Sequence, residues 1–149
     1  MLINIDTGIL LRLLDRNDPH HADIRRAFRA IRARGDEPIT SPQNVAEFWN
    51  VCTRPASARG GFGLSVHETD RRVRLLERLF RVLPDNSMAY PLWRQIVVRH
   101  VVQGVQVHDA RLVAWMQAYG ITHILTLNTG DFARYPGVTA WMPQDVLGS

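Results

Sequence analysis

Four acidic residues scattered along the chain, Asp6, Glu47, Asp109 and Asp131, are the side chains whose type and placement could do chemistry together. Two unit charges ~5 Å apart at an effective dielectric of ~20 repel by roughly 3 kcal/mol, so four converging carboxylates would oppose folding unless something neutralised them. A divalent cation does so, and an oxygen-only site with no Cys and no required His points to Mg²⁺ or Mn²⁺ over Zn²⁺. Such a site activates water and stabilises charge on a phosphodiester during in-line displacement, with one or two metals. Each acid also has a plain structural use. Asp6 or Thr7 could cap the helix that follows, Asp109 could cap its own helix, and Asp131 could cap a turn over 131–135. Glu47 could be a solvated helix residue, and Asn128 a turn residue that tolerates a left-handed backbone.

Short strands and longer helices must position these residues. The run LINID, residues 2–6, reads as a strand, and Thr7-Gly8 leads into ILLRLL, which suits a helix. Residues 20–34 place Ile24, Phe28 and Ile31 on one face and Arg25, Arg29 and Arg32 on another, an amphipathic helix ended by Gly35. EPIT, 37–40, is a brief strand candidate. Ser41-Pro42 supplies an N-cap and a first-turn proline for a helix over 42–53 that buries Val45, Phe48, Trp49 and Cys52. The Gly- and Pro-bearing stretch 54–65 reads as a mobile excursion within one domain. Residues 66–80 carry Val73, Leu76, Leu79 and Phe80 at helical spacing, and 88–102 carry Leu92, Ile96 and Val102 less regularly. RVL, 81–83, is a possible strand between them. Asp109 opens another helix, lined by Leu112, Val113, Met116 and Tyr119 and ended by Gly120. Strands follow at 124–127 and 138–141.

Strands alternating with helices imply parallel pairing and an α/β sandwich. Parallel α/β sheets bind ligands beyond the carboxyl ends of their strands. Asp6 lies at such an end, as does the segment TLNTGDF that holds Asn128 and Asp131. Glu47 flanks the apolar face of its helix.

The chain has 149 residues, 46% hydrophobic and 21% charged, which bounds it to one ordinary globular domain over 1–149 with a real core. One cysteine, Cys52, makes neither an internal disulfide nor a thiolate cluster, so a reducing compartment is expected. No signal peptide and no run of about 18 apolar residues is found, and a soluble cytoplasmic protein is expected. All 18 basic residues are Arg. The absence of Lys excludes a P-loop and the receiver-type phosphoacceptor domains, which also use one. The charge of +4 and pI of 10.2 suit a nucleic-acid partner without specifying one.

The segments INIDTGILL, SPQNVAEFWNV, VHDARLVAWMQAYGITHILTLN and TGDF, in order and approximate spacing, resemble the PIN-domain nucleases, and especially the VapC-type toxins of bacterial toxin-antitoxin pairs. The resemblance covers nearly the whole chain. It implies a three-layer sandwich with a short-stranded central parallel sheet flanked by helices. It also implies a Mg²⁺- or Mn²⁺-dependent endoribonuclease with Asp6, Glu47, Asp109 and Asp131 as metal ligands and catalytic acids, and Thr7 and Asn128 in support. Its implied partners are an RNA substrate, a VapB-type antitoxin and a second copy of the chain; a membrane is not among them. The sequence departs from the family pattern at Gly8, where a small or hydroxyl residue is usual, and in the excursion 54–65.

Arg54, Arg59 and Arg134 are the candidate RNA contacts. His108 reads as a helix-start residue beside Asp109, His20-His21 as surface, and Trp49, Trp93 and Trp115 as core or interface. A catalytically inactive PIN-like module that binds RNA or forms a complex is the alternative, and the intact acids count against it. A phosphatase with a strand-end Asp nucleophile is disfavoured, because the second Asp that family wants is Gly8 here.

Overall fold

β1 (Leu2–Ile5) occupies the centre of a five-stranded, wholly parallel sheet, ordered β3-β2-β1-β4-β5, in the computed structural model, which describes residues 1–148. The strand is central because it is covered on both faces: Ile3, Asn4 and Ile5 have no exposure at all. β2 (Glu37–Thr40) pairs with it on one side, Asn4 opposite Ile39, and β4 (His123–Leu125) on the other, Asn4 opposite Ile124. β3 (Arg81–Val82) and β5 (Thr139–Trp141) form the edges.

Parallel strands require crossovers, and helices supply them on both faces. α1 (Thr7–Leu13) and α2 (His21–Ala33) join β1 to β2, and α3 (Pro42–Thr53) and α4 (Val66–Leu79) join β2 to β3. α5 (Ala89–Arg99) and α6 (Val107–Ala118) join β3 to β4, with a 3₁₀ turn at Gly104–Gln106 between them. α1 to α4 pack Leu10, Phe28, Phe48 and Leu76 against Ile3 and Ile5. The other face packs Ile96, Val113 and Met116 against Ile39 and Ile124. Each such side chain contributes roughly 1.5–3 kcal/mol by burial. The three-layer sandwich expected from the sequence is the fold found.

Several boundaries differ from expectation. Strand β4 ends at Leu125; Thr126 still donates its N–H to the Trp141 carbonyl at 2.9 Å, and Leu127 lies beyond the strand. α6 begins at Val107, so Asp109 lies within the first turn instead of capping it. α5 stops at Arg99, and Val101 follows with φ 50°, a left-handed backbone that prevents the helix from reaching Val102. Leu79, read as apolar stripe, is 36% exposed, whereas Phe80 turns in to pack against Phe28, ring centroids 5.1 Å apart and planes tilted by 40°. α7 (Pro143–Leu147) was not expected; its Val146 closes the core over α2.

The excursion 54–65 is pinned. Phe62, Gly63 and Leu64 donate backbone hydrogen bonds to the carbonyls of Val51, Arg54 and Cys52 at 3.1, 2.8 and 2.8 Å. A Cβ on Gly61 would stand 2.3 Å from the Pro55 carbonyl oxygen, so only glycine lets the loop lie back on α3.

Candidate active site

The connections leave β1 in one direction through β2 and return on its other side at β4, which puts the carboxyl ends of β1 and β4 side by side at a topological switch point. Asp6 is the first residue beyond β1, and its N–H continues the ladder to the Leu125 carbonyl at 3.0 Å. Its carboxylate is held from three sides. Oδ1 accepts the Thr7 N–H at 2.9 Å, capping α1, and the Asn44 amide at 3.3 Å; Oδ2 accepts the Thr126 hydroxyl at 2.6 Å. Burial pushes the Asp6 pKa up, and the charges of Glu47 and Asp131 push the same way, against the lowering effect of the bonds from Thr126 and Thr7. Asp6 is thus both a helix cap and a member of the acidic group.

Glu47 projects from α3 toward the same crevice. The Thr7 hydroxyl donates to its Oε2 at 2.8 Å, and the Gln43 amide, one turn earlier, donates to its Oε1 at 3.0 Å. Gln43 Nε2 also lies 2.8 Å from the His108 carbonyl oxygen, tying α3 to the start of α6. Asp109 follows in the first turn of α6, where the helix field favours a negative charge. Its pKa is nevertheless raised to about 6, first by burial and then by Asp131, Asp6 and Glu47, with His108 pulling the other way. Asp131 lies in the 3₁₀ turn Thr129–Phe132, which is anchored by the buried Phe132, and it is exposed on the rim of the crevice.

The structure therefore brings Asp6, Glu47, Asp109 and Asp131 into one shared field. None of the ion pairs among the described residues engages any of them. Hard oxygen donors outside any ion pair suit Mg²⁺ or Mn²⁺ chemically. Among the described residues, however, no three acidic, His or Cys side chains stand at common ligating distance. The cause is visible at Asp6 and Glu47, whose oxygens are turned to Thr126, Thr7, Asn44 and Gln43. The donor set fits a divalent cation; the side-chain rotamers do not preform its cage.

Thr7 sits in the centre of the network, between Glu47 and Asn44. Asn128 enters it through its backbone: its N–H donates to Thr126 Oγ1 at 3.0 Å and its carbonyl accepts the Asp131 N–H at 3.1 Å, while its side chain is hydrogen-bonded to nothing among the described residues. Arg134 donates to Gln106 Oε1 at 2.8 Å near the start of α6. Arg54 folds back onto the Arg59 carbonyl at 3.0 Å, bracing the loop, and Arg59 is exposed.

Three residues of the network escaped the sequence reading: Asn44, Thr126 and Gln43. Asn44, fully buried, accepts from Ser41 Oγ at 2.7 Å and reaches Thr7 Oγ1 at 3.1 Å as well as Asp6. A signal existed for it, because positions 44, 48 and 52 share one face of α3 and a polar residue there faces the core. Thr126, also fully buried, had none beyond its place at a strand end.

An acid-lined crevice at the switch point of a doubly covered parallel sheet defines the class of protein. The PIN domain family matches the chain over residues 3–138, and the chain belongs to that family. No curated protein matches it in sequence. In fold it is similar to VapBC2 of Rickettsia felis bound to a promoter DNA fragment, with a TM-score of 0.71 at 11% identity over 95% of this chain and 98% of the other. It is also similar to FitAcB of Neisseria gonorrhoeae, with a TM-score of 0.65 at 20% identity over 97% and 99%. A third is the sarcin-ricin loop cleaving toxin VapC20 of Mycobacterium tuberculosis, with a TM-score of 0.57 at 21% identity over 82% and 86%.

Proposed function

We propose that the protein is a Mg²⁺- or Mn²⁺-dependent endoribonuclease that serves as the toxin of a VapBC-type pair. The observation that carries this is the shared field of Asp6, Glu47, Asp109 and Asp131 at one crevice, none of them in an ion pair among the described residues. In this reading the four acids hold the cation, which when bound supplies an activated water and neutralises charge on the scissile phosphodiester. The chain's own work is orientation. Thr126 and Asn44 hold the Asp6 carboxylate, and Thr7 and Gln43 hold Glu47, at the edge of the crevice, from which a change of rotamer would turn their oxygens to the cation. Asp131, on the exposed rim, completes the set directly or through a water. Arg59 and Arg134, with Arg54 behind Arg59, are the phosphate contacts this reading assigns.

VapBC and FitAB complexes among the similar structures support an antitoxin partner, and the VapC20 toxin supports RNA as the substrate class; a homodimer is part of the same reading. Among the described residues no helix is long and apolar enough to cross a membrane, in keeping with a cytoplasmic site of action. The burial of Val146 in the shared core supports one domain over the whole chain.

The purified protein with Mg²⁺ or Mn²⁺ is expected to cut structured RNA, and Asp6→Asn or Asp109→Asn to abolish cutting. Unchanged cleavage by both variants would sink the mechanism. Absence of cleavage together with no cation binding in calorimetry would leave the inactive RNA-binding module as the reading.

A further inference from the structure

A cavity of about 430 Å³ lies against the acidic crevice, between the start of α3, the loop before α5, and α6. It falls within the size range of small-ligand pockets. Its wall is shared with the site: Ser41 and Gln43 line it, and these two hold Asn44 and Glu47 by the hydrogen bonds described above. Arg111, two residues beyond Asp109 on α6, lines it from the other side.

The lining chemistry is specific. Tyr90, 64% exposed, stacks on Trp93 with centroids 6.2 Å apart and planes at 30°. Trp93 spends its indole N–H on the Val107 carbonyl at 3.0 Å, so what its ring has left to offer a ligand is aromatic surface, while the buried Trp115, its N–H on the Pro84 carbonyl at 3.1 Å, backs the wall from the core. Asp85, in the same lining, has no hydrogen bond or ion pair among the described residues, and neither does Arg111. Asn86 uses its Oδ1 to accept the Met88 N–H at 2.9 Å, which leaves its amide N–H₂ group as a donor. Aromatic faces, a carboxylate, an amide donor and a guanidinium together match a nucleobase with its phosphate.

We propose that this cavity is a subsite for one unpaired nucleobase of the RNA, adjoining the acidic crevice, and that guanine fits it best. Guanine presents two neighbouring N–H donors, N1–H and N2–H₂, to a single carboxylate, and beside them the O6 acceptor for an amide donor; no other RNA base offers that edge. Asp85 and Asn86 supply the complementary groups, Tyr90 and Trp93 the stacking surface, and Arg111 the contact to the phosphate. The adjacency to a scissile bond rests on the ribonuclease reading, whereas the base preference does not.

The two are separated by measuring binding without metal. The four ribonucleoside 5′-monophosphates are titrated into the full-length protein in EDTA, with quenching of Trp93 and Trp115 fluorescence as the signal. GMP is expected to bind at least about fivefold more tightly than AMP, CMP or UMP, the least discrimination a bidentate pair gives. Asp85→Ala should erase the preference while retaining residual binding, and Tyr90→Ala should weaken all four nucleotides alike. Equal affinities unaffected by Asp85→Ala, or no saturable quenching by any nucleotide in the millimolar range, would overturn the proposal. If GMP binds as expected but Asp6→Asn leaves RNA cleavage unchanged, the subsite stands and the mechanism fails. Should the nuclease assay succeed and the nucleotide titration not, the reverse holds.

Discussion

In the apoprotein at neutral pH, Asp109 carries its charge against burial and three other carboxylates. Its folded pKa of about 6 lies above the ordinary 3.8, so between these values the folded form binds more protons than the unfolded one. Stability contributed by this group is present at low pH and is lost as pH rises through that window, staying flat above it. Asp109→Asn should therefore raise the thermal midpoint of the metal-free protein near pH ~7, with the gain vanishing near pH ~4. Differential scanning calorimetry at the two pH values checks this; a variant no more stable than wild type near neutrality would show that the carboxylates do not share a field. Thr126 acts in the opposite sense, since its hydroxyl stabilises ionised Asp6. Thr126→Val keeps the shape and removes the donor, so the acid limb of the cleavage pH profile should move to higher pH while the fold persists.

At the scale of elements, the same residue that leads the acidic site also starts α1. Asp6→Asn and Asp6→Ala both remove the charge, but only Asn keeps a capping oxygen for the Thr7 N–H. In urea denaturation the Asn variant should exceed the Ala variant by about 1 kcal/mol. Equal midpoints would mean that the cap contributes nothing. The turn after α5 offers a second test. Val101 is 71% exposed with φ 50°, a region that costs a residue with a Cβ about 1–2 kcal/mol. Val101→Asn should raise the urea midpoint at unchanged slope. The elements that could be read from sequence were those with long apolar periodicity or strong punctuation, such as α2 and the Ser41-Pro42 start of α3. α7 is five residues long and leaves no period to detect. Leu79 was read as part of the apolar stripe and is partly exposed, whereas Phe80 is buried as read, although by extended backbone beyond the last turn and not by helix spacing. Asp6, Asp109 and Asp131 were legible as strand-end and helix-start residues and Glu47 as the flank of an apolar helix face. Asn44 left a signal in the shared face of 44, 48 and 52, whereas Thr126 is a polar group in the core that only tertiary packing explains.

For the whole molecule, an acidic crevice without a balancing charge makes stability depend on the surroundings. Mn²⁺ or Mg²⁺ at ~100 times its dissociation constant should stabilise the fold by about 2.7 kcal/mol, and Asp109→Asn should respond less. Thermal midpoints followed through a cation titration test this, and a flat response in wild type would remove the metal from the account. The assembly of that crevice also has a timetable. Asp6 and the Thr126 hydroxyl that holds it are 120 residues apart, although they end adjacent strands. A chain grows at about 5–20 residues per second and folds from its N-terminal side, so Asp6 leaves the peptidyl-transfer centre roughly 6–24 s before its partner is made. β1 can take β2 as a neighbour early, but its other edge stays open until β4 arrives. A nascent chain short of β4 thus holds the first two acids and Asp109 without the strand that carries Thr126 to them, and the acidic crevice is completed late in translation.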